Sequence, residues 1–141
     1  MATQVHAEAQ RSAAGCATPE RVLESIVDGI NDGDLDALMT LYEPQAAFAI
    51  APGRLAHGLP GIRQGLSAFI AMKGTLRLDV TRVLEVNDLA FVAGAWSFDG
   101  TAPDGDHVHL SAHNADVLRR QSDGSWRFVI DNPYTPTVAA A

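Results

Sequence analysis

The sequence predicts an α+β fold in which three helices come first and pack on one face of a curved antiparallel sheet. Two observations lead to this prediction. Apolar residues recur at helical spacing in three segments before Gly74. Beyond Gly74 they alternate with polar residues at a period of two, and Gly-rich or Asp-Gly turns separate the alternating runs.

The ends of the first two helices are marked by capping residues. The first helix is predicted to begin at Thr18 and Pro19, because a hydroxyl side chain caps a helix and proline fits its first turn. Gly33 ends it, since glycine readily adopts the left-handed conformation found after a helix. Asp34 caps a second, shorter helix, and Pro44 is predicted to end that helix.

The rest of the domain is predicted from a third helix and a series of strands. A strand over residues 46–50 and a turn at Pro52-Gly53 lead to a helix from Gly58 to Met72. The later strands are predicted at 76–86, 90–98, 107–120 and 126–132. Residues 18–135 then form one domain, with a flexible N-terminal arm (1–17) and a C-terminal tail (136–141).

Composition excludes several classes of function. The 141 residues carry 10 Lys+Arg and 17 Asp+Glu, a net charge of −7, so nucleic acid and anionic membranes are not expected partners. No apolar run approaches the roughly 20 residues of a membrane span, and the N-terminus has no apolar central segment, so a secretory signal is not expected. Cys16 is single and is expected to be exposed in the arm. A cytoplasmic protein without a cofactor is predicted.

Five segments carry a resemblance to a known family. They are NDGDLDAL (31–38), HGLPGIR (57–63), VLRR (117–120), DGSWRF (123–128) and IDNP (130–133). With the order of elements, they resemble the nuclear-transport-factor-2-like (NTF2-like) superfamily, which includes ketosteroid isomerases, SnoaL-like polyketide cyclases and limonene epoxide hydrolase. The resemblance implies a cone: a bent sheet wrapped around helices, with a pocket at its open end. Homodimers are common in this superfamily, which hosts many chemistries.

The turn Asp123-Gly124 is the strongest hairpin signal in the chain. A two-residue turn there would place Asp116 opposite Asp131 on one face of the sheet. If that pair is buried, one carboxyl should keep its proton, which suits general acid–base chemistry. A bulged turn would instead shift the register by one residue and put the two carboxylates on opposite faces. Both could also face water, screened by neighbouring arginines.

The resemblance adds roles for the two aspartates but does not supply a complete mechanism. Asp131 falls where the epoxide hydrolases carry a catalytic aspartate, and Asp116 where the isomerases carry an acid that bonds a substrate oxygen. Departures from the family pattern are equally clear. The isomerase base would fall near Ile50 or Ala51, and the isomerase tyrosine near Ile26, none of which can take part in proton transfer. The epoxide hydrolase Arg and Asp would fall near Gly94 and Trp96.

The pocket is predicted to be largely apolar, with the two acids at its back. Trp96 is expected to contact the ligand, because its ring offers stacking area and an N–H donor. Asn114 is a polar neighbour of Asp116, and His57 could line the rim. The candidate substrate-binding residues are Trp96, Phe48, Ile50, Asn114, Leu118, Val129 and His57.

Two surface features complete the sequence-based expectations. His107, His109 and His113 share a strand face opposite Asp116, but no further ligand clearly joins them, so no metal site is predicted. Trp126, Phe128 and Ile130 are predicted to form an apolar stripe on the outer face of the sheet, covered by a second copy of the chain.

Two hypotheses about function follow. The first is a cofactor-independent acid–base enzyme of the isomerase, cyclase or dehydratase type, acting on a small, largely apolar molecule through Asp131 and Asp116. The second is a ligand-binding or dimerisation module without catalysis. The missing base and tyrosine favour the second hypothesis, and a buried acid pair would favour the first.

Overall fold

A single curved sheet of six strands organises the molecule, whose computed structural model describes residues 15–135. Three helices and six strands lie within this range. In chain order they are α1 (Pro19–Asp32), α2 (Leu35–Met39), β1 (Tyr42–Ala51), β2 (Arg54–His57), α3 (Leu59–Ala71), β3 (Thr75–Val86), β4 (Leu89–Thr101), β5 (His107–Arg120) and β6 (Trp126–Asp131).

The strand order is β2-β1-β6-β5-β4-β3, and the helices lie against the inner face of this sheet. All neighbouring strands are antiparallel except β1 and β6, which run parallel and join the first strand to the last. The predicted α+β, cone-shaped fold is confirmed. Within residues 15–135, no helix is long and apolar enough to cross a membrane.

The helix boundaries largely follow the capping residues. The Thr18 side chain accepts a hydrogen bond from the Arg21 amide, and Gly33 closes α1 with φ 68°. The second helix is shorter than predicted, because it ends at Met39 rather than at Pro44. Pro44 instead lies within β1, at a stretch between Tyr42 and Ala47 where the pairing with β6 is irregular. Such a stretch tolerates a residue without an N–H.

The N-terminal end of the described chain belongs to the domain. Cys16 is buried, and its carbonyl accepts a hydrogen bond of 2.8 Å from the Trp126 amide. The prediction of an exposed thiol in a free arm is therefore wrong for this residue, because the segment before α1 pairs with the start of β6. The remainder of the predicted arm and the predicted tail lie outside the described residues.

The hairpin of β5 and β6 contains two irregularities that cancel. The turn is bulged, with Gln121 bonded to Ser125 and Gly124 at φ 87°, so Leu118 pairs with Phe128. Val129 is then an extra residue in β6, because the next pair is Val117 with Ile130.

These two shifts decide which side chains face inward. The predicted two-residue turn is wrong, yet the register at the far end of the hairpin is the predicted one. Asp131 therefore shares the inner face with Asp116. Trp126 and Phe128 are also buried inside, so the predicted outer stripe is wrong for both of them. Only Ile130 of that stripe is exposed.

Candidate active site

A cavity of about 50 Å³ lies between the inner face of the sheet and helices α1 and α3. A buried water needs roughly 10–15 Å³ of such space, so this cavity has room for a few water molecules or a small ligand. Most of its wall is apolar. The residues that line it are Leu23, Ile26, Ile30, Phe48, Leu66, Phe69, Leu76, Leu78, Trp96, Asn114, Asp116, Phe128, Asp131 and Pro133.

Two carboxyl groups meet at the wall of this cavity. Asp116 comes from β5 and Asp131 from the end of β6, and the two carboxyl groups lie within hydrogen-bonding reach of each other, so one proton can bridge them. Asp116 is 1% exposed, whereas Asp131 keeps 9% of its surface exposed. Asp131 is therefore the more exposed of the two residues, although the carboxyl groups of both are buried.

Asp116 is held by two nitrogen donors. The Asn114 Nδ2 atom donates to its Oδ2 at 2.8 Å, and the Asn132 backbone N–H donates to its Oδ1 at 2.8 Å. Asn114 lies on the same face of β5, two residues before Asp116. These bonds fix the orientation of the Asp116 carboxyl group.

Tyr42 is the residue of this site that the sequence reasoning missed. Its buried hydroxyl donates to Asp131 Oδ2 at 2.5 Å, and its ring stacks on Phe128 with centroids 5.1 Å apart. Tyr42 reaches Asp131 because β1 runs parallel to β6, with Tyr42 opposite Phe128. Its aromatic side chain at a strand start was visible in the sequence, but the parallel pairing of two strands so distant in the chain was not.

Burial raises the pKa of all three acidic groups. Removal from water raises the pKa of Asp131 to about 6, although the hydrogen bonds from Tyr42 and Asp116 favour its charged form. Burial and the neighbouring Asp131 charge raise the pKa of Asp116 well above its usual range. The pKa of Tyr42 is also raised well above 10, by burial and then by the Asp131 charge. The pair therefore titrates as a unit that holds one proton above pH 6 or so.

Five of the candidate residues from the sequence line the cavity: Asp131, Asp116, Trp96, Phe48 and Asn114. Trp96 differs from expectation in one respect. Its ring N–H donates to the Pro133 carbonyl at 2.7 Å, so it offers the cavity its ring surface rather than a free donor.

The other four candidates lie elsewhere. Leu118 is fully buried in the core beside Phe128 and does not line the cavity. Val129 is the bulged residue of β6, so Phe128 takes the wall position expected for it. Ile50 lines a neighbouring groove, and His57 is exposed on β2. The predicted wall positions of Leu118, Val129 and Ile50 and the predicted rim position of His57 are therefore wrong.

The histidines lie away from this site. His107 and His109 approach Asp99 at 3.3 and 2.8 Å on the exposed side of the sheet. Over residues 15–135, no group of three or more His, Cys, Asp or Glu side chains is arranged to hold a metal ion. None of these histidines is among the residues that line the cavity.

Comparison with known proteins places this chain in a family. The family model described as "SnoaL-like domain" matches residues 23–129. No curated protein matches the chain.

Solved structures share the fold at low sequence identity. An NTF2-like superfamily protein from Salmonella enterica has a TM-score of 0.74 and 20% identity, over 85% of this chain and 89% of that one. A ketosteroid isomerase-like protein from Erwinia carotovora has a TM-score of 0.69 and 20% identity, over 79% of this chain and 88% of that one. A proposed dehydratase of the NTF2-like family from Streptomyces avermitilis has a TM-score of 0.70 and 15% identity, over 85% of this chain and 94% of that one. At these identities the likeness is one of fold.

Replacing Tyr42 with phenylalanine should raise the apparent pKa of the carboxyl pair above about 6, because the Tyr42 hydroxyl stabilises the charged form of Asp131. The measurement is a pH titration of the two carboxyl carbons by NMR. Tyr134→Phe is the matched control, since among the described residues the Tyr134 hydroxyl bonds neither carboxyl group. An unchanged or lower value in Tyr42→Phe would contradict this assignment.

Replacing Asp131 with asparagine should stabilise the protein at pH 8. The folded state binds more protons than the unfolded state between about pH 4 and 6, so wild-type stability falls as the pH rises through that window. A folded-state pKa of about 6 against an unfolded value near 4 corresponds to about 3 kcal/mol. Urea denaturation should show that gain at pH 8 and its disappearance near pH 4.

The matched control for this experiment is Asp104→Asn. Asp104 is exposed and accepts a bond from the Asp106 amide, which an asparagine can also accept. Its substitution should leave the free energy of unfolding within about 0.5 kcal/mol at either pH. If Asp131→Asn proved less stable than wild type at pH 8, the buried carboxyl would not carry the expected electrostatic cost.

Proposed function

We propose that this chain, which belongs to the SnoaL-like domain family, is a cofactor-independent acid–base enzyme acting on a small, largely apolar molecule. The observation that carries the proposal is the carboxyl pair at an apolar cavity. One carboxyl group is ionised near neutral pH and the other keeps a proton, so a base and an acid lie side by side. Isomerisation, cyclisation and dehydration can each use such a pair.

Asp131 is proposed as the general base. A pKa of about 6 leaves it ionised near neutral pH yet basic enough to accept a proton, whereas the pKa of Asp116 is raised well above its usual range. The Tyr42 hydroxyl holds one of its oxygens at 2.5 Å, which fixes the orientation of the carboxylate.

Asp116 is proposed as the proton partner. Its two nitrogen donors and its bond to Asp131 fix it in place, and its proton can return to Asp131 or pass to a substrate oxygen. Tyr42 keeps its own proton, because burial beside Asp131 raises its pKa. The phenol is thus a positioning donor rather than an acid in this scheme.

The wall residues limit the substrate to a small, mostly apolar skeleton. Phe48, Phe128 and the Trp96 ring face the cavity together with aliphatic side chains from α1 and α3. Exclusion of water by these side chains strengthens electrostatic interactions at the carboxyl pair. A polar group of the substrate is therefore best placed at the two aspartates.

The proposed activity is tested by incubating the protein with small enolisable ketones, epoxides and β-hydroxyketones, and by following their conversion with NMR. For any compound turned over, Asp131→Asn should lower kcat/KM by about 100-fold or more, the usual contribution of a general base. In the wild type, kcat/KM should rise with pH through an apparent pKa of about 6, as Asp131 loses its proton.

Asp104→Asn is again the matched control and should keep full activity, because Asp104 is exposed on a turn remote from the cavity wall. Activity that survives in Asp131→Asn would overturn the assignment of the base. Binding of a compound without any turnover would instead favour a ligand-binding module, in which Asp131 only fixes the polar end of the pocket.

The outer face of the sheet supports a further proposal, that two copies of the chain pair through it. Leu84, Phe91, Val117 and Ile130 are neighbours across four adjacent strands. Leu84, Phe91 and Ile130 are 55%, 38% and 41% exposed in the single chain. A second copy laying the same row against this one would remove these side chains from water.

Phe91→Glu is expected to weaken this pairing, because it places a charge in the middle of the apolar row. A central interface residue contributes about 2 kcal/mol or more, so the dissociation constant should rise about thirtyfold. Sedimentation at several protein concentrations measures it. Leu55→Glu is the control, since Leu55 is also exposed but lies on the edge strand β2, two strands away from Ile130 at the end of the row. A wild-type protein that sediments as a monomer would refute the proposal.

A further inference from the structure

The cavity wall contains a buried hydrogen-bond acceptor without a partner. The Oδ1 atom of Asn114 is shielded from solvent and bonds to no group within residues 15–135. Asn114 as a whole is only 4% exposed and lines the cavity. Buried amide oxygens are nearly always hydrogen-bonded in folded proteins, so an exception at a cavity indicates a group that binds there.

Gly94 leaves the space in front of this oxygen free of a side chain. It lies opposite Asn114 on the inner face of β4, and a Cβ atom at this position would lie 3.0 Å from Oδ1. The same atom would lie 2.4 Å from the Asp79 carbonyl oxygen, so the close approach of β3 also requires glycine here. The acceptor therefore lies close to the backbone of β4.

The donor groups of the site are already engaged with protein atoms. The Tyr42 hydroxyl donates to Asp131, and the Trp96 ring N–H donates to a backbone carbonyl. The Asn114 Nδ2 atom donates to Asp116. Apart from the proton of Asp116, what the site offers a ligand is therefore acceptors: the amide oxygen of Asn114 and the carboxylate of Asp131.

We infer that the ligand of this cavity is an alcohol, whose hydroxyl group donates to Asn114 Oδ1 while its apolar skeleton fills the cavity. The inference rests on the proposed function, because it takes this cavity as the substrate site. It narrows the class of substrate to alcohols. A ketone of the same skeleton would place its own acceptor against Asn114 Oδ1, leaving two oxygens without a donor between them.

A hydroxyl group at this position lies beside the acid pair and fits a dehydration. Asp131 takes the proton from the carbon next to the alcohol carbon, which must also carry an electron-withdrawing group of the substrate such as a carbonyl, and a carbon–carbon double bond forms. The C–O bond breaks, and the hydroxyl leaves as water with the proton of Asp116. The proton gained by Asp131 then passes to Asp116 through their hydrogen bond, which restores the starting state without a cofactor.

Binding of cyclopentanol and cyclopentanone to the full chain tests the inference. The two probes share one skeleton and differ in the hydrogen-bonding group, and NMR titration gives both dissociation constants and the residues affected. Cyclopentanol should bind about tenfold or more tightly, with shifts centred on Asn114 and Asp131. Equal or tighter binding of cyclopentanone would overturn the inference, and would place amide hydrogens rather than the oxygen of Asn114 on the ligand.

A variant pair then assigns the preference to Asn114. In Asn114→Leu the alcohol-to-ketone preference should fall to about one, while Gln45→Leu, an exposed amide on β1, should keep it. A preference that survives in Asn114→Leu would overturn the role of Asn114. If neither probe shifts the cavity residues, the proposed site itself fails, and this outcome differs from a preference for the ketone.

Discussion

One shared proton allows two aspartates to lie together beside an apolar cavity. Two carboxylates in this position would repel each other with little water to screen them, so one of them keeps its proton and becomes a donor to the other. Tyr42, Asn114 and the Asn132 amide complete the bonding of the pair. These groups come from β1, from β5 and from the segment after β6, so the arrangement requires the strand order that joins β1 to β6 to β5.

Within this strand order, the β5–β6 hairpin determines whether the Asp131 side chain faces the cavity. A bulged turn alone would point Asp131 outward, and the extra residue Val129 restores its inward direction. Between the two irregularities the strand also turns Trp126 and Phe128 into the core, where Phe128 supports the Tyr42 ring. The hairpin thus supplies both the carboxylate and the aromatic surface that positions its phenol partner.

The sequence predicted those parts of the molecule that depend on local patterns. Capping residues located both ends of α1, and alternation located β3 to β6, because neighbouring residues determine these features. The start of β1 and the role of Tyr42 were missed, because they depend on a parallel pairing between distant strands. The short strand β2, which pairs antiparallel with β1, was missed as well. The inward position of Asp131 was predicted correctly, but from a strand pairing that is wrong near the turn. Periodicity cannot locate a single bulged residue.

The cost of the carboxyl pair argues that it serves chemistry rather than stability. A domain of this size has a net stability of about 5–15 kcal/mol, and one carboxyl with a pKa raised to about 6 removes about 3 kcal/mol of it at neutral pH. An apolar pair of similar volume would fill the same space without this electrostatic cost. The unpartnered Asn114 oxygen is unfavourable in the same way. Both costs fall on side chains that line one cavity, where a bound ligand can offset them.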